Sequence, residues 1–171
     1  MTLSFGSVIF FYYLCPMNIF VLDNNPKKCA EYHVDKHCVK MILETAQLLC
    51  GVHWVLESEA PYKLSHKNHP CAIWARECIE NYIWLCDLGL ELCDEYTYRY
   101  GKRHKSQDII EWCLMNQPNL RDNGDLTPFA LAMPDECKVG DAVESYRRYY
   151  VAEKSGFAVW KNREVPEWFK K

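Results

Sequence analysis

Residues 32–50, YHVDKHCVKMILETAQLLC, decide how the rest of the chain is read. From His33, alternating steps of four and three residues reach His37, Lys40, Glu44 and Gln47. At 3.6 residues per turn these five side chains share one face of a helix. The opposite face carries Val34, Cys38, Met41, Thr45, Leu48 and Leu49, an ordinary core stripe. A solvated helix face is usually a loose mixture of Glu and Lys. Two imidazoles, an amine, a carboxylate and an amide in file suit acid–base, lyase or metal chemistry better, with a plain exposed polar face as the competing reading.

The surrounding composition sets limits. A chain of 171 residues with 49% apolar and 25% charged residues has enough material for one folded domain with a proper core. Eleven Tyr and six Trp favour an aromatic core, with base-stacking surfaces as the alternative use. The formal charge of −3 excludes indiscriminate nucleic-acid binding, so any DNA contact must rest on a local basic surface. Ten cysteines contain no C-x-x-C pair, and Cys71, Cys78, Cys86 and Cys93 recur at helical spacing. They read as small buried hydrophobes in a reducing, cytoplasmic compartment rather than as a disulfide or zinc framework.

Residues 1–16, MTLSFGSVIFFYYLCP, carry no charge. They lack the basic start and small-residue cleavage site of a secretory signal and are short for a membrane span. They are expected to be an extension upstream of a start at Met17, with 17–171 as a single helical domain.

Working outward, Asn18–Leu22 reads as a short strand-like segment, and Asn24-Asn25-Pro26 as a turn. A first long helix is expected over about 32–54 and a second from about Pro70 to Tyr100, closed by Gly101. A third runs from Ser106, as N-cap, to Met115. Residues 116–141 read as loop, and 141–153 as a last helix before an aromatic, basic tail with Trp160 and Trp168. The expected fold class is mainly α, a compact single-domain helical bundle with a short N-terminal extended segment.

Asp35-Lys36-His37 with Glu44 resembles the D-x-H-x6-E segment of phage pyrimidine-dimer DNA glycosylases of the endonuclease V type and their bacterial relatives. Lys40 and Gln47 fit the same pattern. Asn68-His69-Pro70 resembles the N-H-P that opens the following helix there, and Glu95-Tyr96 with Arg99-Tyr100-Gly101 resembles that helix's ending. The resemblance spans about residues 18–105. It implies a helical protein that binds double-stranded DNA in the minor groove and extrudes a base. An amine nucleophile then attacks the sugar, assisted by a Glu. Glu44 matches that Glu, His37 matches a histidine beside the site, and Asp35 is carried along with them.

In the phage enzymes the amine is the α-amine of a Thr exposed by removal of Met. Here Thr2 lies 33 residues before Asp35, too far ahead, so a start at Met17 would make the Met17 α-amine the free one. Lys40, one turn from Glu44, is the other candidate, although a plain ion pair to Glu44 would explain it equally well. DNA contacts are expected from Lys36, Lys67, His69, Arg76, Lys102, Arg103 and Lys105. The chemistry requires no cofactor and no metal, and no obligate protein partner or membrane is implied.

Two other functions compete. His33 and His37 with His66, His69 or Glu44 would make a metal-dependent hydrolase or di-metal protein, although no H-E-x-x-H is present. A non-catalytic nucleic-acid-binding module would leave Lys40 and Glu44 merely paired.

Overall fold

The long helix carrying His37, Lys40 and Glu44 begins only at Asp35. In the computed structural model, which describes residues 17–170, α1 is Pro26–Tyr32 and α2 is Asp35–Val55. The sequence reading began the long helix at about residue 32 and so carried it through His33 and Val34. His33 and Val34 instead adopt extended backbone, with ψ of 133° and 156°. The cause is Arg99, whose guanidinium is fully buried. It donates to the carbonyls of Glu31 at 3.0 Å and His33 at 2.8 Å, and to the Asp35 carboxylate at 2.9 Å. Carbonyls claimed by a guanidinium are lost to a continuous helix ladder. His33 therefore leaves the polar face of α2 and is buried completely.

The second expected helix is two. Helix α3 is Pro70–Ala75 and α4 is Ile79–Tyr100. The loop after residue 116 wedges into the gap: Ile79 donates to the Arg121 carbonyl at 3.0 Å, and the Asn81 amide bridges Trp74 O and Thr127. Gly101, at φ 64°, ends α4 in the left-handed conformation as expected. Helix α5 is Gln107–Met115, preceded by Ser106. The Ser106 hydroxyl does not cap it but pairs with Tyr62 OH at 3.0 Å. Helix α6 is Ala142–Glu153, capped by the Asp141 side chain on Glu144 N.

Helix α4 lies against α1, α2 and α5, and its partners approach closely at Gly89. A Cβ there would sit 2.8 Å from Thr45 Cγ2 and 3.0 Å from Ile110 Cδ1. Nine of the ten cysteines fall among the described residues, and all nine are reduced and buried, as their spacing implied. The protein is thus all-helical, with no strand among the described residues. The strand-like run Asn18–Leu22 is an irregular buried segment with no sheet neighbour to join. Its polar groups find side chains instead, with Cys29 Sγ bonding Phe20 O and Leu22 N. No helix among the described residues is long and apolar enough to cross a membrane. The reading of residues 1–16 as an extension lies outside the described residues.

Arg99 also donates to Glu95 at 2.7 Å, so its removal takes from both Asp35 and Glu95 the buried cation that they share. Breaking a buried pair in this way costs about 3–5 kcal/mol. Arg99→Met should lower the unfolding free energy by that order in urea titrations. A change below about 1 kcal/mol would show that the α1–α2 break is held by other contacts.

Candidate active site

Four segments distant in sequence enclose a cavity of about 600 Å³. Asn18 and Phe20 come from the buried N-terminal segment, and Lys36, His37, Lys40, Met41 and Glu44 from α2. His69 and Pro70 open α3, while Ala132–Asp135, Tyr149, Lys154 and Phe157 come from the C-terminal third. The volume falls within the ordinary range for ligand pockets, and the lining combines apolar surface with a few polar groups.

Glu44 is the chemical centre. Its side chain is only 5% exposed, and Oε2 accepts the backbone N–H of Asn18 at 3.1 Å. Lys40 Nζ lies 3.1 Å from Oε1, an ion-pair contact that leaves Oε1 without a well-aligned hydrogen-bond donor. Burial pushes the Glu44 carboxyl above its ordinary pKa, against the opposing pull of Lys40 and the Asn18 N–H. A carboxyl held in this state can exchange a proton near neutral pH more readily than an exposed Glu.

The position of the Asn18 nitrogen is set by its own side chain. Asn18 Nδ2 donates to Ala132 O at 2.9 Å, and Oδ1 accepts from Ile19 N and from Tyr146 OH. The resemblance pointed to a main-chain nitrogen at the site, but to that of Met17. Met17, named as the α-amine, is buried at 2% exposure, and the nitrogen that reaches Glu44 is the next one along.

His37 lines the same wall, stacked on Phe20 at 4.4 Å. Burial, reinforced by His33, Lys154 and Lys40, drives its pKa down to about 2, so the imidazole is neutral. His69 caps α3 by accepting Cys71 N–H at Nδ1, and burial together with His66 lowers its pKa too.

The remaining predicted residues divide. Lys36, beside Phe157, joins the cavity lining with Lys40, and Lys154 from α6's C-terminal end adds a third cation. Asp35 does not line the cavity. Its carboxylate accepts from Arg99 and from Lys161 N, so it anchors the fold instead. Arg103 is engaged by Asp108 and Glu111, and Arg76 by the Lys67 carbonyl. Lys67, Lys102 and Lys105 are exposed and outside the cavity lining. Trp160 and Trp168, from the aromatic tail, pack against the core and outside the cavity lining, Trp160 donating to Tyr32 O. The proposed metal ligands are not gathered. His33 Nδ1 binds Cys29 O, His37 Nδ1 meets Tyr150 OH, and no three metal-ligating side chains cluster among the described residues.

The raised pKa of Glu44 has a consequence for stability. Its folded pKa lies above its unfolded value, so its contribution is fully present below the unfolded pKa. That contribution is lost as pH rises through the folded pKa. Glu44→Gln, which never ionises, should therefore unfold at higher urea than the parent at pH 7. The gap should close near pH ~4, around the ordinary Glu value. Equal urea midpoints at both pH values would contradict the buried, strained carboxylate.

A family model described as pyrimidine dimer DNA glycosylase matches residues 17–108. Comparison with curated proteins and with solved structures gives no match. The matched span begins at the segment that delivers the Asn18 nitrogen, takes in all of α2 with Glu44, and covers just over half of the chain. On that match the chain belongs to the pyrimidine dimer DNA glycosylase family.

Proposed function

We propose that the protein cleaves the N-glycosidic bond of a damaged or modified pyrimidine in double-stranded DNA and then breaks the strand at the abasic sugar. One observation carries this reading: a buried carboxylate, Glu44, lies 3.1 Å from a main-chain nitrogen and 3.1 Å from an amine inside one cavity.

In a chain beginning at Asn18 that nitrogen is a primary amine, with an ordinary pKa of about 7.7–8.0, so a useful fraction is unprotonated at neutral pH. It attacks C1′ of the sugar as the glycosidic bond breaks, and the base departs with the bonding electrons and takes up a proton. The nitrogen lone pair then opens the sugar ring by breaking C1′–O4′, O4′ takes up a proton, and the resulting iminium acidifies the C2′ hydrogen. Glu44 removes that proton, and the 3′ phosphate leaves by β-elimination. A free α-amine on Met17 would stand one residue further off, on a side chain already seated in the core. Lys40 is the second candidate amine, favoured by its own contact with Glu44. No step requires a cofactor.

The protein's net charge is −3, so DNA attraction must be local. Lys36, Lys40 and Lys154 supply it at the cavity, with His69 as a neutral hydrogen-bonding group and Lys67 on the adjoining loop. Arg103 contributes less because two carboxylates already hold it.

Glu44→Gln should reduce excision of a thymine dimer by roughly 100-fold or more, the usual weight of a positioned acid–base group. Its affinity for the duplex should remain within a few-fold, measured by gel shift. Undiminished excision would remove Glu44 from the chemistry. Lost excision with equally lost DNA binding would assign it to the interface instead.

A further inference from the structure

Behind the cavity lining, a core residue beyond the family match acts on His37. Tyr150, on α6, is completely buried, and its hydroxyl lies 2.7 Å from His37 Nδ1. Burial keeps the phenol protonated. Among the described residues the hydroxyl has no other acceptor for its proton, so it donates to Nδ1. A neutral imidazole carries one N–H, which must then be on Nε2.

His33 shows the opposite case. Its Nδ1 lies 2.7 Å from the Cys29 carbonyl, which only accepts, so there the proton is on Nδ1. Two histidines four residues apart are thereby held as opposite tautomers by different partners. The His37 ring is also fixed in orientation, stacked on Phe20 and flanked edge-on by Tyr150 at 5.3 Å and Phe157 at 5.7 Å. With Nδ1 engaged in the core, Nε2 is the ring nitrogen left to the cavity that His37 lines.

We propose that Tyr150 is a positioning residue, which holds His37 as the Nε2–H tautomer so that a neutral imidazole donates a hydrogen bond to a sugar or phosphate oxygen in the cavity. The identity of that oxygen rests on the glycosylase reading, whereas the tautomer does not. A neutral donor fits a site already crowded by Lys36, Lys40 and Lys154, since it orients an oxygen without adding a further positive charge to the nucleophilic amine's surroundings.

The test begins with 15N-labelled histidine. Long-range 1H–15N spectra of the parent protein should show His37 with a bare Nδ1 and a protonated Nε2. In Tyr150→Phe, which keeps the ring, the Nδ1 signal should move toward a mixture of tautomers. On lesion DNA, kcat should fall about 10-fold, the weight of one hydrogen bond, with KM little changed. In a His37→Gln background, where the amide supplies the donor without tautomerism, Tyr150→Phe should cost nothing further in kcat.

A protonated Nδ1 in the parent would overturn the proposal even if Tyr150→Phe fails to fold. So would an unchanged tautomer in Tyr150→Phe, or a full additive loss in the double variant. The expected spectra together with no excision by the parent would leave the tautomer assignment standing and overturn the glycosylase reading.

Discussion

The buried guanidinium of Arg99 is the constraint on which the rest of the structure depends. It takes two carbonyls from the end of α1 and a carboxylate from the start of α2, and pairs with Glu95 on its own helix. Each partner has a second attachment. Asp35 also receives Lys161 N–H and donates its own N–H to Val159, which draws the C-terminal tail across the molecule. Glu95 also receives two bonds from Arg163. Burial pushes the Glu95 carboxyl upward, but the bonds from Arg163 and Arg99 outweigh it and hold its pKa below the ordinary value. One side chain thus sets where α2 begins, and so which residues of α2 face the cavity.

From that start the site is assembled by two unlike devices. Helix periodicity delivers His37, Lys40 and Glu44 on one face. Side-chain anchoring delivers the fourth group, since the Asn18 amide grips Ala132 O and Tyr146 and leaves its main-chain nitrogen on Glu44. Keeping Glu44 in an apolar wall costs stability whenever it is ionised, a strain of the kind that functional sites retain. Opposite it, α6 and the turn after it bring aromatic surface, a phenol that addresses His37, and the Lys154 ammonium 4.7 Å from the Tyr149 ring.

Much of this was legible in α2 because a 3.6-residue period survives any tertiary context that keeps the helix. The cysteine spacing was legible for the same reason. His33 was misplaced because the break before Asp35 is caused by Arg99, 66 residues away, and no local propensity reports it. The interruption between α3 and α4 likewise comes from a distant loop that bonds Ile79 and Asn81. Asp35 carried a motif match but serves the fold, because a carboxylate beside a helix start serves a structural arginine as readily as a substrate. Asn18 could not be found by residue type, since its contribution is a backbone atom. Tyr149, Tyr150 and Phe157 were hidden among eleven Tyr and seven Phe in a segment without a recognisable motif.

The most direct measurement is borohydride trapping on an abasic-site duplex, using chains that begin at Asn18 and at Met17, followed by peptide mapping of the adduct. A covalent adduct on the Asn18 α-amine in the shorter chain is the expected result, with strand scission, and not the adduct, lost in its Glu44→Gln variant. An adduct confined to Lys40 would move the nucleophile to α2. No adduct in either chain would contradict amine catalysis at this site.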